Sequence, residues 1–250
     1  MEETLKNKVA IVTGGASGIG KAICQLFVQH GAKVAIADMQ EDAGKELAQS
    51  LNVEHEAAIF IKTDVSNAAS CKEMVSTTVD HFGRLDIGVN NAGVSDGETA
   101  TGDKDLDQWK KVIDINLNGV FYCMRYQIPE ILKQNGGAIV NMGSILSQVG
   151  FATASAYVAA KHGVVGLTRN AALEYASAGI QINAVGPAFI NTPLLKDMDD
   201  DTINMLKQAH PIGRLGKSEE VAELVLWLSS SKASFCHGGY YPVDGGYLSR

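Results

Sequence analysis

Residues 9–20, VAIVTGGASGIG, decide the fold, because a short apolar run passes through a glycine-rich turn into a helical pattern. The opening VAIV is apolar and mostly β-branched, which predicts a buried strand. Gly14, Gly15, Gly18 and Gly20 follow, and apolar residues at helical spacing begin with Ile19. A helix that starts at such a turn presents free main-chain N–H groups, which bind anions such as a pyrophosphate. The stretch therefore favours a dinucleotide site, although a glycine turn without a ligand has the same pattern.

The composition is that of a protein with a full hydrophobic core. Hydrophobic residues make up 46% of the 250 residues and charged residues 20%, which suits one α/β domain or two small ones. The net charge of −7 argues against nucleic acid or an anionic membrane as a partner. The start, MEETLKNK, has no apolar signal sequence, and no stretch is long and apolar enough to span a bilayer. We therefore expect a cytoplasmic protein.

Cysteine and histidine spacing favours neither disulfides nor a metal site. The four cysteines lie far apart and form no CxxC pair, and no two of the six histidines have metal-ligand spacing. The acidic run at 197–201 is interpreted as the solvated start of a helix, because charge runs are usually exposed. We therefore expect no metal cofactor.

Strand and helix patterns alternate along the whole chain. Strand candidates lie at 9–12, 34–37, 58–61, 85–89, 138–142, 180–185 and 240–243, and helices near 19–29, 41–51, 68–82, 106–133, 155–176 and 219–229. This order predicts an α/β fold of the Rossmann type, a doubly wound, seven-stranded parallel sheet with helices on both faces. No linker or repeat divides the chain, so we expect a single domain over residues 1–250. The irregular, proline-containing region 187–217 is expected to form a lid.

Acidic residues follow two of these strands. Asp38 lies eighteen residues after Gly20, where a carboxylate accepts hydrogen bonds from an adenosine ribose; a solvated acid is the alternative. Asp64 and Val65 end the third strand and suit contact with an adenine ring, although Asp64 could instead cap the following helix.

Amides follow the fourth strand and lie within the long helix. Asn90 and Asn91 can satisfy main-chain groups where the fourth strand ends. Asn116 shares the apolar face of the helix near 106–133. An unpaired buried amide costs about 1–3 kcal/mol, so Asn116 needs hydrogen-bond partners. A satisfied core amide is the ordinary interpretation of such a residue.

A serine, a tyrosine and a lysine follow the fifth strand. Ser144 stands at the sheet edge where open α/β folds bind ligands, and Tyr157 and Lys161 share one face of the next helix. A free tyrosine has a pKa of about 10, and a nearby cation lowers it toward the range that suits general acid–base catalysis. Taken alone, Tyr-x-x-x-Lys is a weak signal, because surface pairs of this kind are common.

Together these motifs resemble the short-chain dehydrogenase/reductase family. The matching features are Thr-Gly-x-x-x-Gly-x-Gly at 13–20, Asp64, Asn-Asn-Ala-Gly at 90–93, Asn116, Ser144, Tyr-x-x-x-Lys at 157–161 and the segment 187–192. They occur in the family's order and spacing and cover nearly the whole chain.

The resemblance implies hydride transfer between a nicotinamide cofactor and the carbon of a secondary alcohol or ketone. It implies Tyr157 as general acid/base, Ser144 as the hydroxyl that orients the substrate oxygen, and Asn116 as a relay residue. Lys161 would bind the nicotinamide ribose and modulate Tyr157. The residues implied in cofactor binding are Gly14, Ser17, Gly18, Ile19, Gly20, Asp38, Met39, Asp64, Val65, Asn91, Ala92, Gly93, Tyr157, Lys161, Pro187, Ile190 and Thr192. A homotetramer is also implied.

The strand-two acid predicts NAD rather than NADP. A carboxylate at Asp38 repels the 2′-phosphate of NADP. Relatives that prefer NADP carry a basic residue at the positions of Ser17 or Met39, and neither is charged here. The alternative is that Asp38 faces solvent while Lys33 or Lys21 reaches the phosphate.

Two residues depart from the family pattern. Ala188 replaces the usual glycine after Pro187, which suggests a different path for the loop on the nicotinamide side, with Gly186 supplying the flexibility. Gly143 replaces the usual serine before Ser144, and we expect it to open space near the substrate carbonyl.

The predicted substrate pocket is mostly apolar. It comprises Ser144, Ile145, Leu146, Val149, Phe151, Ala188, Phe189, Leu194 and Leu195. This lining favours a small apolar alcohol or ketone. A 3-oxoacyl group on a carrier protein, a sugar or polyol, and a non-catalytic nucleotide-binding role are the alternatives.

Overall fold

A seven-stranded sheet, parallel throughout, forms the centre of the protein, in the order β3-β2-β1-β4-β5-β6-β7. The computed structural model describes residues 4–53, 56–195 and 198–249, apart from the side chain of Leu194. The strands are β1 (Val9–Thr13), β2 (Lys33–Asp38), β3 (Ala58–Lys62), β4 (Ile87–Asn90), β5 (Gly137–Met142), β6 (Ile180–Pro187) and β7 (Tyr240–Val243). The predicted fold class and all seven predicted strands are confirmed.

Eight α-helices accompany these strands in the described part of the chain. They are α1 (Gly18–Gln29), α2 (Glu41–Leu51), α3 (Ala68–Phe82), α4 (Leu106–Ile113), α5 (Gly119–Leu132), α6 (Ser155–Tyr175), α7 (Asp200–Gln208) and α8 (Ser218–Leu228). The predicted helix over 106–133 is therefore two helices, and a π-helical turn at Asp114–Asn118 joins them. None of the described helices has the length and hydropathy needed to cross a bilayer.

The predicted lid region contains helix α7, and the acidic run marks its start. Asp199 Oδ1 accepts a hydrogen bond from the Thr202 N–H at 2.8 Å, which caps the helix. Asp200 and Asp201 lie in the first turn, where the helix dipole favours negative charge. Asp197 lies outside the described residues. In the ranges that the structure describes, no three His, Cys, Asp or Glu side chains are grouped as metal ligands.

Alternate residues of each strand enter two separate cores. From β1, Ala10 and Val12 pack with α1, α2 and α8, whereas Ile11 packs on the other face with α3, α5 and α6. Both faces are buried, which explains why the strands are continuous apolar runs. Because all the strands are parallel, their carboxyl ends meet at one open edge of the sheet.

A chain of buried amides crosses the sheet just below this edge. Gln127 Nε2 of α5 donates to Asn90 Oδ1 at 3.0 Å, and Asn90 Nδ2 donates to Asn141 Oδ1 at 2.8 Å. Asn141 Nδ2 then donates to Thr168 Oγ1 of α6 at 2.9 Å. Asn90 and Asn141 are partners in the β4–β5 register. The chain of hydrogen bonds therefore ties two neighbouring strands to the helices that cover them.

Candidate active site

A cleft of about 820 Å³ opens at the carboxyl ends of the strands, and nearly all the predicted site residues line it. From the predicted sets, the cleft is lined by Gly14, Ser17, Gly18, Ile19, Asp38, Met39, Asp64, Val65, Asn91, Ala92, Gly93, Ser144, Ile145, Leu146, Phe151, Tyr157, Lys161, Pro187, Ala188, Phe189, Ile190, Thr192 and Leu195. Gly20, Asn116 and Val149 do not line it.

The glycine turn has the geometry of an anion site. Gly14 and Gly18 have φ of +62° and +52°, a region that side chains disfavour. Ser17 caps α1 without a side-chain hydrogen bond, so no protein side chain at the cap occupies the first N–H groups of α1. Gly20 lies behind the turn, where an added Cβ would collide with the Gly14 carbonyl oxygen. Gly20 therefore shapes the turn rather than lining the cleft.

The asparagine that ends β4 and the asparagine that follows it have different roles. Asn91 Nδ2 donates to the carbonyl oxygens of Thr13 and Gly14 at 2.9 and 3.2 Å, and the Asn91 N–H donates to Thr13 Oγ1 at 2.9 Å. Asn90 instead points into the core, within the amide chain described above. Asn91 thus fixes the glycine turn against the neighbouring strand end.

Asp38 also fixes the glycine turn from the other side. Its Oδ2 accepts from the Ala16 N–H at 3.0 Å and its Oδ1 from the Gln40 N–H at 2.9 Å. The residue is buried yet lines the cleft, so the alternative of a solvated acid is wrong. Met39 beside it is 56% exposed at the rim.

The alternative role of Asp64 as a helix cap is also wrong. Asn67 caps α3, because its side chain accepts from the Ala69 and Ser70 N–H groups. Asp64 Oδ1 instead accepts from the N–H and hydroxyl of Ser66, at 2.9 and 2.7 Å, while the residue lines the cleft.

Ser144, Tyr157 and Lys161 converge on one wall of the cleft. Ser144 lies two residues after the end of β5 and caps a short 3₁₀ turn, and its Oγ accepts from the Leu146 N–H at 3.1 Å. Lys161 is buried, and its Nζ donates to the Met142 carbonyl oxygen at 2.7 Å and lies 5.4 Å from the centre of the Tyr157 ring. The strand end and the helix face thus bring together the three side chains that the sequence places thirteen and four residues apart.

The pKa of Tyr157 departs from the predicted direction. Burial raises the pKa of Tyr157 above its usual value, and a hydrogen bond with Ser144 opposes this rise. Burial is the larger of these two effects, so the net direction is upward. Burial lowers the pKa of Lys161 itself, from 10.5 to about 8.

This buried lysine gives a testable pH dependence of stability. Between pH 8 and 10.5 the folded protein releases the Lys161 proton while the unfolded chain keeps it, so wild-type stability rises with pH in that window. We expect the difference in the free energy of unfolding, wild type minus Lys161→Met, to increase by on the order of 3 kcal/mol from pH 8 to pH 10.5. Urea unfolding at several pH values measures this difference. Lys111→Met, on the exposed side of α4, is the control and should show a constant difference.

Asn116 is fully buried and lies within the π-helical turn. Its Oδ1 accepts from the Val94 N–H and its Nδ2 donates to the Val94 carbonyl oxygen, both at 2.8 Å. Its side chain therefore has the hydrogen-bond partners that a buried amide needs, and it links the helix to the loop after Gly93. π turns of this kind are frequent at functional sites.

The structure contradicts the predicted effects of Gly143 and of Gly186. A Cβ on Gly143 would lie 3.0 Å from Ser147 Oγ and 3.1 Å from the Val185 carbonyl oxygen, so no open space results. A Cβ on Gly186 would collide with the Tyr240 hydroxyl, and Gly186 is not among the glycines with positive φ. Gly186 thus makes room for Tyr240, whose hydroxyl donates to the Ser144 carbonyl oxygen at 2.8 Å.

Ala188 fits its position without strain. Its N–H donates to the Val243 carbonyl oxygen at 3.1 Å, which continues the pairing of β6 with β7. The described residues other than glycine with positive φ are Asn7, Asn135 and Thr153. The path of the loop therefore does not require glycine at position 188.

The outer wall of the cleft is apolar and aromatic, as predicted. Phe151 and Phe189 pack edge to face with ring centres 6.2 Å apart. Phe189 also packs on His210 and Tyr247, at 5.9 and 6.1 Å. The predicted contribution of Leu194 lies outside the described side chains.

Sequence reasoning missed the loop after Gly93. Residues 94–98 line the cleft, and they include the buried carboxylate of Asp96. The loop has no periodic pattern, so the only available indication was the acid three residues beyond the Asn-Asn-Ala-Gly motif.

Comparisons with known proteins agree with this geometry. Residues 14–248 match the family model described as "Enoyl-(Acyl carrier protein) reductase". The chain is 43% identical to a cyclohexanol dehydrogenase of Acinetobacter sp. (strain SE19), with 100% of this chain and 98% of that protein covered. It is 41% identical to a cis-4-hydroxycyclohexanecarboxylate dehydrogenase of Sinomonas cyclohexanicum, with both chains fully covered. The solved crystal structure of gox2181 superposes with a TM-score of 0.95 at 35% identity, covering 99% of this chain and 98% of that one. The chain therefore belongs to the short-chain dehydrogenase/reductase family, whose dehydrogenases use a nicotinamide cofactor.

Proposed function

We propose that this protein is an NAD-dependent oxidoreductase that interconverts small alicyclic secondary alcohols and the corresponding ketones. The observation that carries the proposal is that Ser144 and Tyr157 line one cleft together with the glycine turn and the apolar side chains of Phe151 and Phe189. A dinucleotide whose pyrophosphate is held at the glycine turn would supply the nicotinamide that exchanges a hydride with the substrate carbon. Relatives named for cyclohexanol and hydroxycyclohexanecarboxylate support the alicyclic class.

The chain's own residues supply the proton chemistry and the orientation. Tyr157, with its raised pKa, keeps its proton at neutral pH and donates it to the oxygen of a bound ketone. Ser144 Oγ orients that oxygen by a hydrogen bond. Lys161, whose ammonium group is held at the end of β5 by its hydrogen bond to the Met142 carbonyl oxygen, binds the nicotinamide ribose hydroxyls.

Proton exchange between Tyr157 and solvent would pass by way of Lys161 and the turn that contains Asn116, which returns a proton to Tyr157 after ketone reduction and removes one after alcohol oxidation. Because the Asn116 side chain is committed to Val94, we assign the relay to the main chain of the π turn. The side chain then serves to hold that turn in place.

Cofactor contacts follow the predicted set. The N–H groups at the start of α1 hold the pyrophosphate, Asp38 the adenosine ribose, and Asp64 and Val65 the adenine ring. Pro187, Ile190 and Thr192, at the start of the lid, contact the carboxamide. A Cβ on Gly18 would lie 3.4 Å from the Thr192 side chain, so the start of the lid lies beside the glycine turn.

A substrate panel tests the proposal. We expect NAD-dependent oxidation of cyclohexanol and reduction of cyclohexanone, with chiral analysis on a methyl-substituted ring to define the stereochemistry. Acetoacetyl thioesters test 3-oxoacyl reduction, and sorbitol tests polyol oxidation. Activity confined to the thioester or to the polyol would overturn the alicyclic assignment, and NADH binding without any turnover would favour the non-catalytic alternative.

A homotetramer is part of the proposal. Ala159, Gly166 and Leu173 repeat every seven residues on the outer face of α6, where Leu173 is 86% exposed and an added Cβ on Gly166 meets nothing. Phe235, near β7, is fully exposed. These two apolar surfaces suit two distinct interfaces between copies of the chain. Sedimentation velocity measures the mass, and a monomer at micromolar concentration would contradict the assignment.

We further propose that residues 1–250 act as one catalytic domain in the cytoplasm. All the proposed cofactor and substrate contacts come from a single sheet edge, and all four cysteines are free thiols. Cell fractionation tests the location.

A further inference from the structure

The helix that carries Tyr157 begins without a cap of its own. Ala154 occupies the N-cap of α6 and has no side-chain hydrogen bond to give. The first helical hydrogen bond runs from the Val158 N–H to the Ala154 carbonyl oxygen. The N–H groups of Ala156 and Tyr157 therefore lack partners within the helix.

A distant carboxylate supplies these partners. Asp96 Oδ2 accepts from the Ala156 N–H at 2.9 Å and from the Tyr157 N–H at 3.3 Å. The Asp96 carboxylate is fully buried, and it comes from the loop after β4, sixty residues earlier in the chain. An anion in this position also interacts favourably with the helix dipole.

Lys104 completes the arrangement. Its Nζ lies 2.8 Å from Asp96 Oδ1 and donates to the carbonyl oxygens of Gly97 and Thr153, at 2.7 and 3.2 Å. Its side chain is only 4% exposed. Thr153 has φ of +70°, an unfavourable conformation for this residue, just before α6. The lysine thus neutralises the carboxylate and holds the strained approach to the helix.

We propose that Asp96 and Lys104 are positioning residues that set the place of the Tyr157 hydroxyl relative to Ser144. Asp96 acts on Tyr157 by accepting a hydrogen bond from the main-chain N–H of Tyr157. Lys104 acts through its contacts with Asp96 and Thr153. The pair bonds the start of α6 to the loop after Gly93, which also lines the cleft. The inference rests on the proposed function for its catalytic consequence.

The test compares Asp96→Asn with a matched change elsewhere. Asp86 is also a fully buried carboxylate that accepts a main-chain N–H, from Val9 at 3.0 Å, and pairs with Arg84 and Lys8. It lies at the opposite edge of the sheet, so Asp86→Asn makes the same chemical change away from the cleft. Lys104→Met is the second variant, which keeps the test available if Asp96→Asn does not fold.

Three quantities are measured for each variant, and kcat is determined with cyclohexanol and NAD. They are kcat, the Kd for NADH, and the ¹³C resonance of the Tyr157 ring in protein labelled at tyrosine Cζ, assigned by its loss in Tyr157→Phe. For Asp96→Asn we expect kcat to fall roughly tenfold, because a small displacement of a catalytic group is costly. The Kd for NADH should stay unchanged and the Tyr157 resonance should move. Lys104→Met should show smaller changes in the same direction.

Asp86→Asn should lower stability and leave kcat, the Kd for NADH and the Tyr157 resonance unchanged. If Asp96→Asn leaves kcat and the Tyr157 resonance unchanged, or if Asp86→Asn alters them as much, the pair is merely structural and the inference is overturned. If wild type oxidises no alcohol, the proposed function fails, and the Tyr157 resonance alone then decides whether the pair positions the ring.

Discussion

Tyr157→Phe is expected to lower kcat by at least about 100-fold, or roughly 2.7 kcal/mol in activation free energy. The substitution removes the hydroxyl that, in the proposed mechanism, exchanges a proton with the substrate oxygen, and it keeps the ring beside Lys161. NADH affinity should therefore change little. Steady-state kinetics with cyclohexanol and NAD, together with NADH fluorescence titration, measure the two effects separately.

Tyr175→Phe is the matched control, since Tyr175 lies on the same helix at its far end and packs in the core. It should leave kcat unchanged. Turnover of Tyr157→Phe close to that of wild type would remove Tyr157 from the mechanism. A large loss of NADH affinity would instead assign the tyrosine to cofactor binding.

Cofactor selectivity gives the second large effect. Wild type should prefer NAD over NADP by at least about tenfold in kcat/KM, or roughly 1.4 kcal/mol. The reason is that Asp38 is buried at the rim and would face the 2′-phosphate. Asp38→Ser combined with Met39→Arg should shift the NAD-to-NADP ratio by about 100-fold and reverse the preference, because it removes a repulsion and adds a bidentate phosphate partner.

Two further variants separate the contributions. Met39→Arg alone adds the partner and keeps the carboxylate, so its shift should be smaller. Asp42→Ser removes an exposed acid nearby on α2 and should leave the ratio unchanged. Equal efficiency of wild type with NAD and NADP on the same substrate would refute the role of Asp38.

The strands and the cofactor edge could be predicted from local sequence for a physical reason. Both faces of this sheet are covered by helices, so each strand is a continuous apolar run that ends where the polar site residues begin. Asp38 ends β2, Asn91 follows β4 directly, and Ser144 lies two residues after the end of β5. Their convergence is a consequence of parallel strands, whose carboxyl ends meet at one edge.

Features that depend on long-range contacts could not be predicted in this way. The π turn at Asn116 has no helix-breaking residue before it and is associated with hydrogen bonds to Val94, twenty-two residues away. The glycine at 186 makes room for Tyr240, which bonds to a residue ninety-six positions earlier. The pKa direction of Tyr157 likewise depends on burial, which does not follow from i, i+4 spacing.

The amide pair of Asn90 and Asn141 has a consequence for how this scaffold can evolve. A slip of β5 by one residue along β4 would place Val140 or Met142 opposite Asn90, and the orphaned amide would cost about 1–3 kcal/mol. The same slip would carry Ser144 about 3.3 Å along the sheet relative to Asn91. The amide pair keeps the two site edges aligned, whatever happens in the loops above them. Insertions and substitutions in the lid can therefore change the outer wall of the cleft while the spacing between Asn91 and Ser144 along the sheet is kept.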